Sequence, residues 1–451
     1  MNGMNVQSLN RISKDSLLYD IKVVNKLEEE TVNSMINELK KIRGTSKLLE
    51  VVNINFNFKI PKVFTLEDVL MGLNGLDIPN IVISLTIPKL SNELTSANQN
   101  EFRNIKFLSL RLLDFPTRDF EYIIQSCSVL DSFKLMAMYI LDEEGEPIES
   151  IFTQTLTDHQ SLKSLDIFLG TPETEENVIR YLNSNSILSH LKLSSNAEDD
   201  PIPLISNGRI SNNTLQYLNI ENNIQYYKLW DGQSSLESLI LKGKDFLEDK
   251  KSLVDSISYS HALTVKVLEF DLNQEYIDSL AEIIDHLKIL EKLTIHTKVA
   301  IDTDFQKLIL SISNHKKLES ICWDSNLKKD GQKMKFIEEI CKLDHPTLRS
   351  LSVSFSSSPL DFEKIVITSS IEILAIFDYQ LSPNTDNVFK ILKEKVNLKS
   401  IKHFSRHPFP TSLVNEYYQT HLNPLSPNQL KLSEIDSWEI YFQVQLEKLN
   451  K

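Results

Sequence analysis

LKSLDIFLGTPETEENVIRYLNSNSILSHLKL, running from Leu162 to Leu193, decides the fold. It opens and closes on the same apolar spacing, Leu162-Leu165-Ile167 and Leu188-Leu191-Leu193. The last two positions of each triplet are two apart, so both point from one face of a short strand. The first sits at the turn entering that strand. Between the two copies, Val178, Ile179, Tyr181 and Leu182 fall three and four apart, the spacing of one buried helix face. Strand, loop, helix, loop therefore forms one unit, which buries its apolar faces only by stacking on neighbours.

The same L-x-x-L-x-L pattern recurs along most of the chain. Clear copies begin at Leu215 (LQYLNI), Leu236 (LESLIL), Leu290 (LEKLTI) and Leu348 (LRSLSV). Weaker ones begin at Leu49, Val82, Ile105, Leu130, Val265, Leu318, Ile371 and Leu398. These make about fourteen units with a mean spacing of roughly 27 residues, within the range of about 20 to 29 for such repeats. Helical spacing follows several strands, from Thr117, Glu175, Glu275, Lys333 and Asp386. Asn57, Asn196, Asn223, Asn273 and Asn326 stand three residues beyond the last apolar slot, where an amide can bond the backbone of a turn.

On these residues the chain resembles the leucine-rich-repeat family, in its long-repeat, ribonuclease-inhibitor-like branch. The resemblance covers roughly residues 49 to 403. It implies an α/β solenoid, or horseshoe, with parallel strands on the concave face and helices on the convex face. Residues 1–48, with a helix expected from Thr31, read as an N-terminal helical cap, and residues 404–451 as a C-terminal cap, since end repeats lack a covering neighbour.

Composition narrows the function. With only 10 glycines in 451 residues, the backbone-approach loops that cradle phosphates or dinucleotides are not expected. No H-E-x-x-H, G-x-S-x-G, P-loop or paired-cysteine motif occurs, so neither an enzyme nor a cofactor or metal site is expected. A net charge of -14 opposes a nucleic-acid partner. Three scattered cysteines, and the lack of a leader-like or membrane-length apolar run, point to the cytoplasm without membrane attachment. Asn212-Asn213-Thr214 matches the glycosylation acceptor pattern, which a chain rich in Asn produces by chance.

What remains is protein binding, and the frame assigns residues to the concave face. Phe107, Arg111, Met136, Phe168, His190 and Tyr217 fall there in the first half, and aromatic, Met and Arg side chains carry much interface energy. Glu269, Asp271, His296 and Asp324 fall there later. The spacing marks no carboxylate paired with His190 or His296, so both are expected to be ordinary surface histidines. Cys322 points outward as an inert thiol, and Trp323 inward. The leading expectation is a non-enzymatic interaction scaffold. Two alternatives accompany the family resemblance. One is an F-box-like substrate receptor of a ubiquitin ligase, although SLLYDIKVVNKL from Ser16 lacks the Leu-Pro opening and later Trp of that motif. The other is a GTPase regulator, for which no rim Arg or Asn is marked.

Overall fold

In the computed structural model the chain is an α/β protein of parallel strands and helices. The structure describes residues 4–11, 17–23, 37, 49–57, 80–89, 102, 105–137, 139–142, 148–170, 173–195, 208–220, 223–242, 250–297, 304–325, 331–343, 345–355, 371–378, 400–405, 432–434 and 440–447. They fall into two compact units, Met1–Ser235 and Leu236–Lys451.

The first unit begins with the antiparallel pair β1 (Met4–Arg11) and β2 (Leu17–Val23). From β2 onward every pairing is parallel: β3 (Leu49–Asn57), β4 (Asn80–Lys89), β5 (Phe107–Pro116), β6 (Ser132–Met136), β8 (Ser164–Leu169), β9 (His190–Ser195) and β10 (Tyr217–Ile220). The short β7 (Tyr139–Leu141) pairs with the far end of β5. Helices α1 (Thr117–Ser126), α2 (Gln154–Thr157) and α3 (Glu175–Ser184) lie between strands, and a 3-10 turn follows at Ile224–Lys228.

The second unit continues the alternation. Its parallel strands are β11 (Ser238–Leu241), β12 (Val267–Leu272), β13 (Lys292–Thr297), β14 (Ser320–Ser325), β15 (Ser350–Phe355), β16 (Ile373–Asp378) and β17 (Ser400–Ser405). Helices α4 (Lys250–Ser260), α5 (Ile277–His286), α6 (Gln306–Asn314) and α7 (Gly331–Lys342) connect the first five of them. Antiparallel β18 (Leu432–Glu434) and β19 (Ile440–Glu447) end the unit against β17. The helix expected from Thr31 lies outside the described residues except for Asn37, as does the one from Asp386.

Burial follows the apolar slots. Leu165, Ile167, Leu191, Leu268, Phe270, Ile321 and Trp323 are almost wholly buried, while the residues between them are half-exposed, the alternation of a sheet covered on one side. Helices supply the cover: α1 brings Phe120 to 5.9 Å from Phe133, and α7 brings Phe336 to 4.6 Å from Trp323, measured between ring centroids. Each such large apolar side chain removed from water contributes about 1.5–3 kcal/mol. The opposite face of each sheet is the open face.

Hydrogen bonds fix the stacking. Just before many of the parallel strands, one carbonyl accepts two successive amides from the start of the next strand, as Lys163 accepts from Ser189 and His190, and Glu291 from Glu319 and Ser320. A second ladder is made of side chains three residues ahead of the first leucine. Asn185 accepts from the Leu188 amide, and Asn212 from the Leu215 amide, through Oδ1. Asn212 Nδ2 then donates to the Leu182 and Asn185 carbonyls of the preceding coil, both at 2.7 Å. Asn212 is thereby 7% exposed, with its amide engaged inside the fold. His159, His315 and His345 do the same with a ring. Nε2 faces the carbonyls of Cys127, Leu287 and Ile312, and Nδ1 faces the backbone amide two residues on. A carbonyl only accepts and an amide only donates, so in each ring Nε2 is the donor and Nδ1 the acceptor. One position before the first leucine, Ser161, Thr214, Ser235 and Thr347 donate to the carbonyls of Leu130, Leu188, Leu215 and Leu318.

Neither Asn223 nor Asn273 belongs to these ladders. Each caps a 3-10 turn leaving a strand, accepting from the amide two residues on at 3.2 and 3.0 Å. Asn57 closes β3, while Asn196 and Asn326 lie outside the described residues.

The ladder histidines set an acid limit. Burial lowers the affinity of His159 and His345 for a second proton, against the raising effect of their carbonyl partners. Their folded values therefore lie below 6.5, so their contribution is full above that pH and is lost as pH falls through the folded value. His345→Ala, which strands a buried carbonyl and buried amides, is expected to destabilise by about 3 kcal/mol. His345→Asn, copying Asn212, should keep most of the stability and lose the share of the acid sensitivity that His345 contributes; urea unfolding midpoints at pH 7.5 and 5 read both effects. Equal midpoint losses for the two variants would contradict the ladder role.

Candidate functional site

The open face of the first unit gathers the residues expected to bind. In parallel register, position aligns with position across strands, so the face reads as rows. One row runs Arg111 (β5), Met136 (β6), Phe168 (β8) and Ser194 (β9). Four positions back, a second row runs Phe107, Ser132, Ser164, His190 and Tyr217, across β5, β6, β8, β9 and β10. Phe107, Met136, Phe168 and Tyr217 are half-buried, and His190 is exposed.

Two groups result. Met136 and Phe168 are direct cross-strand neighbours, with Arg111 next in register. His190 and Tyr217 stack, with ring centroids 5.8 Å apart and planes at 22°. Ser189 Oγ lies 2.8 Å from His190 Nδ1 and fixes that end of the ring. Phe107 shares the row of the stack but is separated from it by Ser132 and Ser164, so it does not join the stacked pair.

Between the two rows lies a charged one. Lys134, Asp166 and Lys192 are in register on β6, β8 and β9. Lys134 Nζ is 3.2 Å from Asp166 Oδ2, and Lys192 Nζ is 4.0 Å from Oδ1. The face thus alternates apolar, charged and aromatic rows about 7 Å apart.

A second constellation escaped the sequence reading. On the open face of the second unit, His296 of β13 lies between two carboxylates. Its Nδ1 is 3.2 Å from Asp324 Oδ2 on β14, and its buried Nε2 faces Glu269 Oε2 on β12 at 3.8 Å, beyond hydrogen-bond reach. The same Glu269 oxygen meets Lys242 Nζ at 2.7 Å. Asp324 is in direct register with His296, whereas Glu269 is diagonal to it, so a search within one row finds only half the network.

The network is charge-coupled. The imidazole of His296 and the Lys242 ammonium hold the Glu269 carboxyl at about 2, against burial, which would raise it. Burial disfavours imidazolium at His296, but the Asp324 hydrogen bond and the facing Glu269 outweigh it, and the net shift is upward. Since Nε2 is covered and Glu269 is already engaged by Lys242, the geometry suits a structural ion network more than acid–base work on a bound molecule.

Cys322 is half-buried on this face, and Trp323 is fully buried behind it. The other two thiols, Cys127 and Cys341, are buried, and burial pushes Cys127 up to about 12, which leaves it inert. Among the described residues, no group of three or more His, Cys, Asp or Glu could hold a metal ion, and no helix is long and apolar enough to cross a membrane. No protein-family model matches the chain, and neither does any curated protein.

The two shifts bracket a pH window. Glu269 contributes fully above its ordinary value near 4.5, and that contribution fades as pH falls toward 2. His296 contributes fully below 6.5, and its contribution fades as pH rises through the raised native value. In Asp324→Asn the His296 ring titration, followed by NMR, should move to lower pH. An unmoved midpoint would show that Asp324 does not hold the ring.

Proposed function

We propose that the chain is a leucine-rich-repeat solenoid acting as a non-enzymatic protein-interaction scaffold, docking a partner on the open face of β5 to β10. Supporting the repeat reading are the recurrent parallel strands, the doubly used carbonyl before many of them and the Asn/His ladder that ties each segment to the one before. One observation carries the docking reading. Four adjacent strands present Met136 and Phe168 on one side of a charged row and the stacked His190 and Tyr217 on the other. Apolar and aromatic side chains held in fixed register are pre-organised for contact, which limits the ordering cost of binding.

Such a scaffold works in a reducing compartment, the cytoplasm, where its free thiols stay free. Its partner is a protein, and the chain needs no cofactor for the role.

The test compares the full chain with Phe168→Ala/Tyr217→Ala and, as a control on the helix side, with Leu310→Ala, whose side chain is exposed. Each is used as bait in affinity purification from the native cell with quantitative mass spectrometry. The double variant should lose a specific protein about tenfold or more, while the control keeps it. Retention of every captured protein by the double variant would sink the proposal.

A further inference from the structure

Two lysines of the open face converge on one carboxylate. Asp166 sits lower in the face than its neighbours, with 28% of its side chain exposed against 42% for Lys134 and 43% for Lys192. One oxygen is bonded to Lys134 at 3.2 Å and the other faces Lys192 across 4.0 Å, so the two ammonium groups stand on either side of it. A single carboxylate balances one of the two positive charges, and each ammonium has three N–H donors, of which Asp166 can take one.

The two lysines stand on strands either side of β8, so their backbones are about 10 Å apart. A fork of that kind, positioned by a third residue, is set to receive a further anion. Its surroundings say which kind. Phe168 lies two residues beyond Asp166 with Met136 beside it, and His190 lies two residues before Lys192 with Tyr217 stacked on it. An incoming carboxylate would therefore have Phe168 about 7 Å away on one side and the aromatic His190–Tyr217 stack on the other.

From this geometry we infer that the face takes an acidic peptide segment, with carboxylates seated between Lys134 and Lys192 and apolar side chains flanking them on Met136–Phe168 and His190–Tyr217. The inference rests on the docking reading above and adds the chemistry of the partner. A polynucleotide offers phosphate and stacking bases to the same rows, but it brings a continuous line of negative charge to a chain of net charge -14. Isolated carboxylates meet the local cations within a screening length, where the distant acidic residues count little.

The probe is a phage-displayed random peptide library panned on the full chain. Enriched peptides are then synthesised with a fluorescent label and titrated against the unmodified chain, Lys134→Ala/Lys192→Ala and Phe168→Ala/Tyr217→Ala. The selection should enrich Asp and Glu interleaved with Leu, Phe or Trp. Kd should rise about tenfold in the lysine variant and also with added salt. Circular dichroism confirms folding, and Lys134→Gln/Lys192→Gln repeats the measurement if the alanine variant does not fold.

Enrichment of basic or uncharged peptides, or of none, overturns the inference. So does a peptide weakened by the aromatic variant and indifferent to the lysine variant, and that result leaves the docking reading standing. Peptides indifferent to both variants remove the docking reading as well. A labelled oligothymidylate that binds more tightly than any selected peptide, and is released by the lysine variant, overturns the acidic-peptide inference in favour of single-stranded nucleic acid.

Discussion

The structure depends on how each strand-and-helix segment closes onto the one before it. Where a helix ends and the chain turns toward the next strand, carbonyls are left without helical partners, and the turn is buried. An apolar side chain there would leave them unsatisfied, at a cost of about 1–3 kcal/mol each. The amides of the same turns need partners too, and Asn185, Asn212, His159, His315 and His345 accept from them. Asn212 and the three histidines also donate backward, to the coil before. Asn and His share the position because both carry an acceptor and a donor a short distance apart. In the coil after α5 the position is Leu287, which contributes only its carbonyl, taken up by His315 at 2.6 Å.

Much of the α/β alternation was legible from the apolar spacing, because period two and period 3.6 are imposed by geometry that each segment carries alone. The strands entered by Leu162, Leu188, Leu290 and Leu348 stand where the pattern puts them, and so do the helices from Thr117 and Glu175. Helices α4 and α6 were not legible. Both are rich in serine, a weak helix former, and they are fixed by the burial of Leu253, Val254 and Ile257 in one and Leu308 and Ile312 in the other. The polar ladder was hidden by the frame itself, which starts at the first leucine, three residues too late to show that His or Asn recurs. Its five residues precede Leu162, Leu188, Leu215, Leu318 and Leu348, and that recurrence was the available signal.

The candidate site was legible as columns and not as contacts. Assigning alternate strand residues to one face placed Met136, Phe168, His190 and Tyr217 together, since parallel register preserves position from strand to strand. The network around His296 was not recoverable that way. Asp324, its partner 28 residues later, shares its row, but Glu269 approaches diagonally, at a distance set by rotamers and by the pull of Lys242. Side-chain reach, unlike backbone periodicity, leaves no mark in residue spacing.

The Ser or Thr hydroxyl bond made just ahead of a strand has a consequence for how the chain tolerates change. Bonds from Ser161, Thr214 and Ser235 to the preceding coil span 31, 26 and 20 residues, yet each lands on the equivalent carbonyl. Every coil therefore restarts its count at the strand entrance, and a longer or shorter excursion is absorbed locally instead of being passed on. Insertions between strands can accumulate over generations without displacing a row of the open face, whereas a single residue gained or lost inside a strand turns that strand's outward set into its inward one.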